Sequence, residues 1–467
     1  MRILITAFYD DNFGDMLIRT CFTQLLKTAL ENLKITEYEI DAMPLKEPDE
    51  NKIAAADVLF FAGGGLFGLS YLNFSESLDM IMEIAEKNNT SVIFSSLGSN
   101  NMDAGIDDTD KLRDFFRKKC IKAVSVRENP EMFRYYAEET GYKIIQVCDP
   151  AVWAGNVYYR DIKKSSERRG GKPVVGINFV RGGLFKANDI DWKYELESTL
   201  LYDYAVRLEE QGIDYRFYTN GSAMDCAAML RFADEYGLPR EKFILCDTAR
   251  DLVRTTADFD VVAATRMHAS IVAYALEVPS FNLVWNPKIP FFYENIGYPE
   301  RALMPEDWND DVLFEKSLEL LSDEDYGRNP EYLMSLYSFL IKVLQDIFNR
   351  DRKTEIFDYE TVCQHLRSME IPEEEDISDM RFKLLRAENQ YNKLRNSKAE
   401  LREEIREQKR ELKALTKENE KLSKKNEKLT EKYEKIRAER NAMKRRLDRI
   451  DNKTVVKIYH RLKGTSR

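Results

Sequence analysis

Over the first 350 positions, short apolar strand-like runs alternate with stretches of helical period, and the runs predict the strands of a parallel sheet. The first series is Arg2 to Ala7, Val58 to Ala62, Ser91 to Ser95, Ala123 to Val126 and Lys143 to Val147. A second follows at Val174 to Phe179, Asp214 to Tyr218, Lys242 to Leu245, Phe259 to Ala264 and Ser280 to Val284. A polar, glycine-containing segment, Ser165 to Lys172, separates them. Strand and helix alternating in this way mark an α/β protein. The reading is two doubly wound Rossmann-like domains, residues 1–164 and 172–350, facing one another across a ligand cleft. Asp311 to Leu321 and Glu331 to Phe348 are expected to be helices that close the second domain.

Residues 351–376 are expected to be a hinge, acidic from Glu370 to Asp376, and beyond it the period changes. From 377 to 450 the apolar positions follow a heptad. One seam runs Met380, Ala387, Leu394, Leu401, Gln408, Leu415, Leu422, Leu429, Ile436, Met443 and Ile450. The other runs Leu384, Tyr391, Lys398, Ile405, Leu412, Asn419, Asn426, Tyr433, Arg440 and Leu447. This is about ten heptads, or roughly 110 Å of helix. Leucine on the d seam with Asn419 and Asn426 on the a seam predicts a parallel homodimeric coiled coil. Between copies, Glu404 with Lys409 and Glu439 with Lys444 attract, whereas Lys432 with Arg437 repels. The tail, 451–467, sets Val455, Val456, Tyr459 and Leu462 among Lys457, Arg461 and Lys463, which makes it a candidate for peripheral contact with an anionic membrane.

Charge sharpens this division. The net charge of −10 conceals 29 basic and 15 acidic residues after Ile377, so that segment carries +14 and the remainder −24. An acidic body argues against a nucleic-acid partner. No apolar run is long enough to span a bilayer, and the amino terminus lacks the apolar core of a signal peptide, so a cytoplasmic location, peripheral at most to the inner face of the membrane, is expected. Six scattered cysteines without C-x-x-C spacing predict buried, reduced thiols and no metal site.

Candidate chemistry collects at the carboxyl ends of the predicted strands, where α/β proteins bind ligands. Arg266-Met267-His268 is the most informative segment, because it places a fixed cation and an imidazole between the strand ending at Ala264 and a small-residue helix from Ala269 to Leu276. Asn12-Phe13-Gly14-Asp15 opens the helix after the first strand. Gly63, Gly64 and Gly65 follow Val58 to Ala62, Ser125-Val126-Arg127-Glu128 ends another strand, and Asp149-Pro150 ends the last before the linker. Taken singly, each of these also reads as a cap or turn.

In this order and spacing the segments resemble the polysaccharide pyruvyl transferase family, over roughly residues 1 to 310. The resemblance rests above all on Arg266-Met267-His268 followed by a small-residue helix and Pro279. It implies a fold similar to the two-domain GT-B glycosyltransferases. It also implies phosphoenolpyruvate as donor substrate, no further cofactor, and an acceptor hydroxyl pair on a sugar or lipid-linked glycan that receives pyruvate as a ketal. The donor carries a carboxylate and a phosphate, so Arg266 and Arg127 are the candidate forks and Arg181 a further anion-binding residue. His268, whose side chain has an unperturbed pKa of about 6.5, suits proton transfer. Asp15 or Glu128 would orient the imidazole or take the second proton, and spacing does not choose between them. Gly14, Gly63, Gly64 and Gly65 would admit backbone close to ligand, and Asn12 would hydrogen-bond the sugar. Two other readings are an ordinary GT-B glycosyltransferase using a nucleotide sugar, and an inactive coiled-coil scaffold.

Overall fold

A computed structural model describes residues 1–8, 12–100, 109–138, 140–162, 171–182, 185, 194–323, 325–350, 354–371 and 378–463. Most of the expected linker (163–170), the two ends of the expected hinge (351–353 and 372–377) and the end of the tail (464–467) lie outside the described residues. The chain divides into two units, Met1–Leu385 and Arg386–Arg467.

The first unit holds two all-parallel sheets. One is built from β1 (Arg2–Ala7), β2 (Glu39–Pro44), β3 (Val58–Phe61), β4 (Gly64–Gly68), β5 (Ser91–Asn100), β6 (Ile121–Val126) and β7 (Ile144–Gln146). Its order is β2-β1-β3-β5-β6-β7, with β4 paired to the outer end of β5. The second comprises β8 (Val174–Asn178), β9 (Asp214–Tyr218), β10 (Phe243–Ile244), β11 (Val261–Ala264), β12 (Ser280–Leu283) and β13 (Ala302–Leu303), ordered β10-β9-β8-β11-β12-β13. Central strands such as β3, β8 and β11 are buried at every position, as strands covered by helices on both faces must be. Register is set by the same runs: Ile3 pairs with Ile40 and Val58, and Ile177 with Phe217 and Ala263.

Each order reverses once, between β1 and β3 in the first sheet and between β8 and β11 in the second. Such switch points open a crevice at the carboxyl ends of the strands. The chain leaving β1 runs to Asn12, that leaving β3 reaches Gly63, and that leaving β11 reaches Arg266. The motifs singled out from sequence therefore lie at both crevices.

Three segments differ from expectation. The helix Pro330–Ile347 does not close the second domain but packs on the helix Phe13–Asn32 of the first. Tyr337 donates to Asn32 Oδ1 (2.8 Å), and Ser335 Oγ accepts from the Cys148 N–H (2.8 Å). The helix Asp310–Leu321 does cover the second sheet, joined through Ser317 to Tyr204. The stretch read as hinge carries a helix, Tyr359–Ser368, with Val362, Cys363 and Leu366 buried. Asn32 holds it to the body by donating to Glu355 O (2.9 Å) and accepting from Phe357 N (3.0 Å). The glycine run after β3 is a strand, β4, rather than a turn alone.

The described residues of the second unit, from Arg386 to Lys463, are helical and belong to the 86-residue helix Ser378–Lys463. No helix among the described residues is long and apolar enough to cross a membrane. All six cysteines are buried thiols.

Candidate functional site

Arg266 is the N-cap of the helix Met267–Ala275, so His268 belongs to the first helical turn rather than to a preceding loop. Asn178, the last residue of β8, fixes that turn. Its Oδ1 accepts from Arg266 N (3.0 Å), and its carbonyl accepts from Thr265 Oγ1 (2.7 Å). Asn282 on β12 donates to Arg266 O (3.2 Å) and to Ser270 Oγ (2.8 Å). Asparagines in buried strands are costly unless paired; these two set the position of the Arg266–His268 turn.

His268 then meets the first domain. An added Cβ on Gly14 would lie 2.3 Å from the imidazole Cγ, so only glycine lets the start of the helix Phe13–Asn32 approach the ring. Asn12 caps that helix by accepting from Gly14 N (3.1 Å), and Phe13 N donates to Asn220 O (2.8 Å) across the two sheets. The contact between domains at this point is thus built from helix amino termini, which favour anions.

The carboxylate beside the imidazole is Asp149. Its Oδ2 lies 3.8 Å from His268 Nε2, beyond hydrogen-bond length but within electrostatic reach. Asp149 also caps the short 3₁₀ turn Pro150–Trp153 by accepting from Ala151 N (2.8 Å). Burial works to raise its pKa, but the Arg127 guanidinium and His268 override burial and hold the carboxyl well below the usual range. His268 is 8% exposed, and its Nε2 has no hydrogen-bond partner among the described residues. A buried ring nitrogen at the meeting of two crevices, without a hydrogen-bond partner among the described residues, is where a substrate hydroxyl can enter.

Arg127 and Glu128 lie behind this pair. Arg127 Nε donates to Glu128 Oε2 (2.7 Å) and Nη1 to Asp149 Oδ2 (2.5 Å), all three residues being buried. Glu128 Oε1 also accepts from Ser99 N (2.9 Å), and burial pushes its pKa up. The expected donor fork Arg127 therefore commits two nitrogens internally. Glu128 serves Arg127 and Ser99 rather than the imidazole.

Arg266 is paired as well, donating from Nε (2.9 Å) and Nη2 (2.6 Å) to Asp225 Oδ2. Asp225 is fully buried in the first turn of the helix Ala223–Glu235, and its other oxygen accepts from Arg181 N (3.1 Å). This ties the expected anion-binding residue Arg181 to the same cluster. Arg266 stays partly open, with its side chain 19% exposed.

Lys288 was not singled out from sequence. It opens the helix Lys288–Ile296, where its N–H is held by Asn286 Oδ1 (3.1 Å). Burial, then Arg127 and Arg266, lower its pKa to about 8, against the opposing fields of Glu128 and Asp15. Asp15 thus enters the site through its field on Lys288. Gly63 and Gly64 have φ of +121° and +94°, and Gly63 passes the Ser96 carbonyl and Pro150. Gly65 pairs in register with Gly98, which lies against Arg127 and Glu128.

Gly14, Arg127, Glu128 and His268 therefore meet around Asp149, Arg266 and the Arg181 backbone meet at Asp225, and Asp149 as imidazole neighbour, Asp225 and Lys288 are additions. Asp149 stands in a strand-end motif, where the sequence reads it as a cap or turn residue. Lys288 follows the predicted strand at Ser280 to Val284, a position that could have flagged it. Asp225, three residues into a helix, carried no such signal.

The model of a family described as polysaccharide pyruvyl transferase matches residues 12–287. No curated protein matches. Among solved structures, a protein assigned as a UDP-N-acetylglucosamine 2-epimerase from Listeria monocytogenes is 11% identical, covering 76% of this chain and 99% of its own, with a TM-score of 0.50. The UDP-GlcNAc 2-epimerase of Methanocaldococcus jannaschii is also 11% identical, over 74% of this chain and 100% of its own, with a TM-score of 0.47. At this identity the first likeness concerns the fold, two Rossmann-like domains of GT-B type.

Proposed function

This chain belongs to the polysaccharide pyruvyl transferase family, and on that premise we propose that it moves pyruvate from phosphoenolpyruvate to a pair of sugar hydroxyls, closing a ketal on a cell-surface polysaccharide or its lipid-linked precursor. The observation that carries the reading is the buried Nε2 of His268, which has no hydrogen-bond partner among the described residues and is set between Gly14 and Asp149 with Arg266 two residues away.

The chemistry asks for that arrangement. One sugar hydroxyl adds through oxygen to the enol carbon of the donor, its proton passes to a base, and the methylene carbon gains a proton to become a methyl group. The second hydroxyl attacks the same carbon, and the bond from that carbon to the phosphate oxygen breaks, releasing inorganic phosphate. In this reading His268 transfers the proton, and Asp149 stabilises the positive charge that the ring acquires. Arg266, Lys288 and the helix amino termini at Gly14 and Met267 answer the donor's two anionic groups. Arg127 holds Asp149 and Glu128 in place. The test is phosphate release from phosphoenolpyruvate with a panel of lipid-linked sugars. Release that requires a sugar supports the reading, and turnover of a nucleotide sugar without it favours a glycosyltransferase.

Arg266→Lys keeps the charge but loses the planar fork, so phosphoenolpyruvate binding followed by calorimetry is expected to weaken about tenfold or more, the worth of one charge-assisted hydrogen bond. Unchanged affinity would remove Arg266 from the donor site. Lys288 is cationic below its lowered pKa of about 8 and neutral above it, so donor affinity should fall as pH rises from 7 to 9. In Lys288→Arg that fall should vanish. A flat profile in the wild type would exclude Lys288 from anion binding.

A further inference from the structure

We infer that residues 401–450 of the helix Ser378–Lys463 form a parallel two-stranded coiled coil with a second copy of this chain. Leu401, Ile405, Leu412, Leu415, Leu422, Leu429, Tyr433, Ile436, Met443, Leu447 and Ile450 each leave 49–66% of their surface open. An apolar strip of this length is not left in water by a stable protein. It is also narrow, two positions in seven, which fits one facing helix rather than the broad face that packs on a globular core.

The occupant follows from what interrupts the strip. Asn419 and Asn426 stand at successive a positions. In a parallel, in-register pair each asparagine faces its own copy, and the two amides hydrogen-bond across the axis. In an antiparallel pair a faces d, each asparagine meets a leucine, and a buried amide loses its partner at a cost of about 1–3 kcal/mol. Flanking charges agree with self-pairing: Glu404 with Lys409, Glu439 with Lys444 and Arg446 with Asp451 attract in the parallel register, against one repulsive pair, Lys432 with Arg437. Beyond Ile450 the seam positions become Thr454, Lys457 and Arg461, so it ends there.

Sedimentation of the full chain is expected to give twice the 54.6 kDa of one copy, independent of concentration over the working range. Leu415→Asp combined with Leu422→Asp should return a single-copy mass while the thermal transition of the Met1–Leu385 unit is retained. Leu447→Cys should cross-link copy to copy under mild oxidation, because parallel in-register helices bring the two thiols together while the six native cysteines are buried. A wild-type monomer, a trimer or tetramer, or a dimer whose Leu447→Cys variant does not cross-link would each overturn the inference.

Discussion

Pyruvyl transfer by the His268→Ala variant is expected to be about 10² to 10⁴ times slower than by the wild type, the range for loss of a general acid or base, with the fold retained. The ring sits at the domain contact rather than deep in an apolar core, and its Nε2 supports no hydrogen bond among the described residues. Its removal leaves Asn178, Asn282 and the helix beginning at Met267 in place. Donor binding by calorimetry should therefore change much less than turnover, which separates proton transfer from anion binding. Turnover within a factor of two or three of wild type would sink the catalytic assignment.

Arg127→Met should produce the largest loss of stability, about 3–5 kcal/mol, because it leaves Glu128 and Asp149 as buried carboxylates without their shared cation. The pH dependence has a definite sign. Asp149 has a depressed pKa when folded, so its contribution is fully present above the unfolded value near 3.9 and is lost as pH falls through the folded value. Without Arg127 the folded pKa rises, so the gap between wild type and variant should be widest near pH 7 and narrow below about pH 4. Urea unfolding at the two pH values measures this. Equal stability at pH 7 would mean that Arg127 is free to bind ligand, as the motif alone suggested.

These expectations also show what a sequence carries. The strands β1, β3, β6, β8, β9, β11 and β12 are legible to within two residues, most plainly β3 and β11, which are buried at every position and are unbroken apolar runs. The half-exposed edge strand β2, with the run Glu39–Pro44, has no such run. The glycine-rich β4 exists because β5 pairs with it, and β13 has only two residues. The helix Pro330–Ile347 shows its apolar face in sequence but not which domain that face covers. At the site, Asn12 to Asp15 and Arg266 to His268 were readable as strand-end motifs. Their partners were not. Asp225, Asp149 and Lys288 reach the locus from separate elements, and charge pairing across such distances leaves no local pattern.

The central claim is that this site builds a pyruvate ketal, and the most direct measurement follows the carbon. With phosphoenolpyruvate labelled in the pyruvyl carbons and a lipid-linked sugar acceptor, the wild type should carry the label into the acceptor in step with phosphate release, and His268→Ala should slow both together by the same factor. Label recovered only as free pyruvate, or sugar transfer from a nucleotide donor with phosphoenolpyruvate untouched, would contradict the account.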